Sequence, residues 1–251
     1  MSEPGMKAVL KKIFVMKRQY NELPLFQFMR DERIDAAKRL SFFPCMAHFI
    51  LSFGDLNKYV LRSEPAKDEW QEKVNAHTYE DDHHWPWYLE DFHKLGFDLP
   101  SKPTDVMKFL WGEETAKNRV LMYRLTAMIA QANGEERMAI IEAIEETGNV
   151  LFTTMLDIAR TLQKRYDVEL RYCGDHHHAL ETGHAMNGGD HRELAEIELD
   201  DASKKKCMKW VEEVFRLFED WTNELLAYAR RPAAVEKTEQ RKQAYVADML
   251  S

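Results

Sequence analysis

Most of the ten histidines fall in two short stretches, and both stretches mix imidazoles with carboxylates. The first is His77-Thr-Tyr-Glu80-Asp81-Asp82-His83-His84; the second runs from Asp175-His176-His177-His178 through Glu181 to His184, with His191 just beyond. Each contains the spacing H-x3-[D/E]-x2-H: His77/Asp81/His84 and His177/Glu181/His184. Side chains recur every 3.6 residues on a helix, so these three positions share one face. Imidazole and carboxylate on one face suit a borderline divalent metal such as iron, manganese or zinc.

The first triad belongs to a stripe of Trp70, Val74, His77, Asp81, His84, Tyr88 and Phe92, apolar at its ends and ligand-like in the middle. Ionisable groups on an otherwise buried face are costly unless something satisfies them, and a metal would. Glu80 lies to one side of His77, about 60° away, and could also reach in. In the second triad, His177, Glu181 and His184 span about 60° of arc. The plain alternative is an exposed His-rich loop at Asp175–His178 and an ordinary solvated acidic patch at Glu80-Asp81-Asp82.

Dinuclear carboxylate sites draw ligands from several facing helices. The segment Met138–Phe152 offers the missing carboxylate. Glu145 shares a face with Ile141, Gly148 and Phe152 and is expected to look inward. Glu142 is the next choice, and Glu146 is expected on the polar side with Asn149 and Thr153.

The elements that must position these groups are helices. Gly (10) and Pro (8) are scarce, and apolar residues recur at three and four rather than at two. The expected helices cover about 6–20, 24–30, 32–62, 66–95, 103–110, 113–132, 135–165, 174–186 and 204–230. Breakers separate them at Leu99-Pro100-Ser101-Lys102-Pro103, Asn133-Gly134 and Asn187-Gly188-Gly189-Asp190. Pro86 lies inside the 66–95 pattern, so a kink is expected near the first histidine cluster. One helical domain over 1–230 is expected, followed by a charged tail over 231–251.

A hydrophobic fraction of 45% is ample for a core, and the net charge of −8 speaks against nucleic acid as a main partner. No run approaches the length of a membrane span, and the N-terminus lacks the apolar stretch of a signal peptide. Cys45, Cys173 and Cys207 are odd in number and far apart, which fits free thiols in the cytoplasm.

These motifs resemble those of the haem-oxygenase-like di-iron oxidases and oxygenases, relatives of the TenA/PqqC superfamily. In that family one core helix carries E-x6-H or E-x2-H followed by Leu-Gly, a second gives a bridging Glu, and a third carries H-x3-D-x2-H. Here His84 is followed at the matching distance by Leu95-Gly96; His177, Glu181 and His184 match the third motif, with Glu for Asp. The opening Leu23-Pro24-Leu25-Phe26, the apolar run through Phe42-Phe43-Pro44 to Phe53, and the closing Trp210–Ala227 helix are also similar, over about residues 20–230. His77 stands where the family has a carboxylate; either His77 replaces it, or Asp81 or Glu80 supplies it. The resemblance implies an all-α, haem-oxygenase-like (TenA-like) bundle holding two Fe ions per chain, with Mn or another divalent metal as the substitute. His77, His84, His177 and His184 would ligate, Glu145 would bridge, and Asp81 or Glu80 together with Glu181 would complete the site. It implies a small organic substrate oxidised with O2, and it is compatible with a homodimer. Two other readings are a TenA-like hydrolase using Cys173, and a non-catalytic haem- or metal-binding protein with His48 or His93 as axial ligand.

Overall fold

Proline and the caps decide where the helices begin and end. The computed structural model describes residues 5–98, 100–185 and 190–231, apart from the side chains of 181–185 and 190. The chain opens with α1 (Gly5–Tyr20), α2 (Pro24–Arg30) and the short α3 (Ala36–Arg39). The helix expected over 32–62 is broken: α3 is followed by a 3-10 turn, Phe43–Met46, and only then by α4 (Ala47–Leu56), which widens into a π turn over Asn57–Leu61. Pro44 is the cause, because it lacks an N–H and its ring disfavours helical backbone at Phe43.

The helix expected over 66–95 is also two helices, α5 (Glu69–Asp81) and α6 (Trp85–Lys94). Pro86 sits in the first turn of α6, where its missing N–H costs nothing. The chain therefore turns at 82–84 rather than kinking. Next come α7 (Pro103–Trp111), α8 (Ala116–Ile129) and α9 (Gly134–Tyr166), then α10 (Asp175–Ala185), the unexpected short α11 (Asp190–Ala195) and α12 (Asp201–Ala229). Among the described residues there is no strand.

Helix α9 is the axis of the molecule. It packs against α1, α2, α3, α5, α10 and α12. Its start is a capping box: Asn133 Oδ1 accepts from the Glu136 N–H at 2.9 Å, and Glu136 Oε2 accepts from the Asn133 N–H at 3.0 Å. Ile140, Ala143, Met155, Ile158 and Ala159 bury its surroundings against Val211, Val214, Phe218 and Trp221 of α12. Each fully buried large apolar side chain is worth about 1.5–3 kcal/mol, which outweighs the ~1 kcal/mol that Gly148 costs in mid-helix.

Candidate metal centre

Three helices and one cap bring the chemistry-bearing side chains to a common wall. His77 and Asp81 come from the last turns of α5, Glu145 from the middle of α9, and His177 from the first turn of α10. His84 is the residue that precedes α6.

Helix α5 is held in register by a polar network. Gln71 Nε2 donates to the Leu61 carbonyl at 3.0 Å and to Asn75 Oδ1 at 2.8 Å. Arg137 of α9 donates to the same carbonyl at 2.9 Å and to Gln71 Oε1 at 2.7 Å. Arg62 donates to Thr78 Oγ1 at 3.0 Å and to Asp82 Oδ2 at 2.7 Å, pinning the end of α5 on which His77 and Asp81 sit.

The loop before α10 is anchored by Asp91 of α6, whose buried carboxylate accepts from the Arg171 and Cys173 N–H groups, both at 2.8 Å. Burial pushes the Asp91 pKa up, against the pull of those hydrogen bonds. Gly174 allows the tight approach that follows, since a β-carbon there would lie 2.0 Å from the Leu170 carbonyl oxygen.

His77 Nε2 lies 3.0 Å from Asp81 Oδ2 and 3.5 Å from Glu145 Oε1. One ligand-type atom from each of these three residues lies within 4.8 Å of the other two. His84 Nδ1 is 4.0 Å from Asp81 Oδ1 and 3.3 Å from His177 Nε2. Burial disfavours the charged form of His77, but the charges and hydrogen bonds of Asp81 and Glu145 hold its pKa well above the ordinary imidazole range.

His177 is buried, and its Nδ1 faces the Tyr172 carbonyl at 2.9 Å. A carbonyl only accepts, so Nδ1 carries a proton and Nε2 is the nitrogen turned toward the cluster. A backbone carbonyl behind an imidazole is the usual orienting partner of a metal ligand. The Trp87 ring stacks on His84 at 4.5 Å, and Phe152 meets His177 edge-on at 4.3 Å.

The cluster forms one side of a cavity of about 640 Å³, counting its open mouth. Asp81, His84, Glu145 and His177 line that side; Phe49, Ile50, Phe53, Leu151, Phe218 and Trp221 form much of the remainder. Trp85 is exposed and stands at the mouth.

The structure thus brings His77, Asp81, His84, Glu145 and His177 together. His77, Asp81 and His84 do so across a chain turn instead of along one helix. Glu80 is exposed on α5. The side chains of Glu181 and His184 lie outside those described. His176 is exposed, whereas His177 beside it is buried, so 175–178 is neither wholly a solvated loop nor wholly interior.

Glu142 does not reach the cluster's other groups; it pairs with His191 of α11, Nε2 to Oε1 2.8 Å. Glu146, expected on the polar side, is buried and ion-paired with Lys17 of α1. Helix α9 is covered on several sides, so it has no broad polar face to place Glu146 on. Glu142, Glu146 and His191 form a second group of metal-ligand types. The i,i+4 glutamates were its sequence signal; the distant partners Lys17 and His191 carried none.

The residues of the two other readings sit elsewhere or are unsuited. Burial first, and then Asp91, pushes the Cys173 thiol well above the ordinary range, opposite to an activated nucleophile. His93 is exposed and half-buried His48 faces Trp111 and Tyr123; neither lines the cavity.

No protein-family model matches the sequence, and no curated relative does. Among solved structures, the chain is similar to a domain of unknown function with a haem-oxygenase-like fold from Shewanella denitrificans OS217. The TM-score is 0.63, the identity 14%, and the match covers 88% of this chain and 91% of that one. This chain has a haem-oxygenase-like fold. At that identity the likeness extends to the fold alone, and the haem-oxygenase-like bundle is what brings α5, α9 and α10 side by side here. No described helix is long and apolar enough to cross a membrane.

Proposed function

We propose that this haem-oxygenase-like chain is a non-haem, metal-dependent oxidase or oxygenase, with two Fe ions per chain, that uses O2 to oxidise a small organic substrate. The observation that carries it is the convergence of His77, Asp81, Glu145, His84 and His177, four of which (all but His77) line an apolar cavity. The donor set fits the group: mixed imidazole and carboxylate within a few ångströms, with His177 Nε2 turned toward the cluster. Glu145 would bridge; Glu181 and His184 are proposed as further ligands. Bound Fe(II) supplies the electrons and open positions needed to activate dioxygen.

The chain's own residues do the rest. The Tyr172 carbonyl holds the Nδ1 proton of His177, and Trp87 stacking fixes the plane of His84. His77 Nε2 faces Asp81 and Glu145, and it would have to be deprotonated to hold a metal, so metal affinity should rise with pH. The aromatic and aliphatic walls keep bulk water from the reacting groups.

Anaerobic Fe(II) titration tests this. About two ions per chain should bind, and admitting O2 should give a transient visible absorption. His84→Ala and His177→Ala should each weaken binding by about tenfold or more. Uptake unchanged in both variants would overturn the proposal, as would stoichiometric haem binding with a Soret band.

A further inference from the structure

We propose that Gly148 sets the substrate specificity of this cavity: the side chain it lacks is the space in which an uncharged, apolar substrate body lies, the substrate's single polar end meeting the histidine–carboxylate cluster. This rests on the function proposed above and names its substrate class.

Two things usually force a glycine, and neither acts at position 148. Its backbone is ordinary helix in the middle of α9, whereas Gly96 is the described glycine with positive φ, at 71°. Among the described residues, crowding does not force it either: a β-carbon there would meet the Phe152 ring of the same helix at 3.6 and 3.9 Å, which is ordinary contact. At Gly134 and Gly174, by contrast, a β-carbon would lie 2.5 and 2.0 Å from its nearest neighbour. A mid-helix glycine weakens a helix relative to alanine. No described neighbour of Gly148 requires that loss, but the position has another property: it lines the cavity one turn beyond Glu145.

The class of substrate follows from the walls. Among the described residues no Lys or Arg lines the cavity, so none of them offsets an anionic group buried against its apolar walls. The Thr147 hydroxyl is already engaged, donating to the Ile144 carbonyl at 2.7 Å. Phe49, Phe53, Leu151 and Phe218 offer only apolar contact. The polar partners for a ligand are concentrated at His84, His177 and the carboxylates.

Calorimetric titration of 1-octanol and 1,8-octanediol into the metal-free protein tests the proposal, alongside melting curves. The mono-alcohol should bind about tenfold or more tightly than the diol, whose second hydroxyl would lie against the apolar walls. Gly148→Ala should raise Tm by about 2–4 °C. Gly148→Leu should fold with wild-type helicity, take up metal as the wild type does, and lose 1-octanol affinity by about tenfold or more. A lower Tm for Gly148→Ala would show that the backbone or packing needs the glycine. Unchanged octanol binding by Gly148→Leu, or equal binding of the two alcohols, would equally overturn the proposal. Absence of metal uptake by the wild type would instead sink the proposed function, and the octanol titrations would still report on the cavity.

Discussion

In the protein without metal, His77 carries a proton held between two carboxylates, and His191 is in a similar position beside Glu142. The hydrogen bond from Glu142 raises the His191 pKa, partial burial opposes it, and Glu146 adds to the rise while Lys17 subtracts. A folded-state pKa above the unfolded value of about 6.5 means that this contact stabilises fully below that value and fades as pH rises through the folded pKa. Glu142→Gln should therefore lower the Tm of the metal-free protein more at pH 6 than at pH 9. An equal loss at both would show that the pair acts as a neutral hydrogen bond. The ligand types at 77, 81, 84 and 177 were legible from spacing alone. Which of Asp81 and Glu80, and of Glu145 and Glu142, stands beside His77 was not, because each pair fits the helical arithmetic and packing places Asp81 and Glu145 there.

The turn at 82–84 changes how α5 and α6 share the site. His84 reaches Asp81 because the chain turns at that point, not because it lies one turn further along the same helix. Asp91 on α6 then fixes the loop that presents His177. Asp91→Ala should strip the Arg171 and Cys173 N–H groups of their acceptor, costing about 1–3 kcal/mol. It should also weaken metal binding about 10–100-fold by loosening His177. Asn133→Ala, at the capping box of α9, should cost a similar ~1 kcal/mol and leave metal affinity unchanged. Paired melting curves and metal titrations separate the two; equal metal affinities would mean Asp91 serves stability only. Most helices were readable from periodicity and breakers, with the bounds of α1, α2 and α9 met to within one residue. The stretches 32–62 and 66–95 were not, because Pro44 and Pro86 have two outcomes, a bend or a fresh start, and tertiary contacts choose.

Across the whole molecule the expected consequence of the site is stabilisation by its metal. Mn(II) at about 100 times its dissociation constant should add about 2.7 kcal/mol to the folded state, seen as a higher Tm that EDTA reverses. A Tm indifferent to Mn(II) and Fe(II) would argue that the five residues form a self-sufficient polar cluster.

By itself the sequence determined that this chain is helical and which helices carry imidazoles and carboxylates, since both follow from local chemistry: a 3.6-residue period, and few glycines, prolines and β-branched runs. The tertiary structure alone decided which of those groups meet. Helix α9 is enclosed by other helices, so its carboxylates face several partners at once: Glu145 toward His77, Glu142 toward His191, Glu146 toward Lys17. A periodicity argument allots a helix one buried face and one wet face. A helix at the centre of a bundle has no such division, and the partners that meet its side chains are set by packing between segments far apart in the chain.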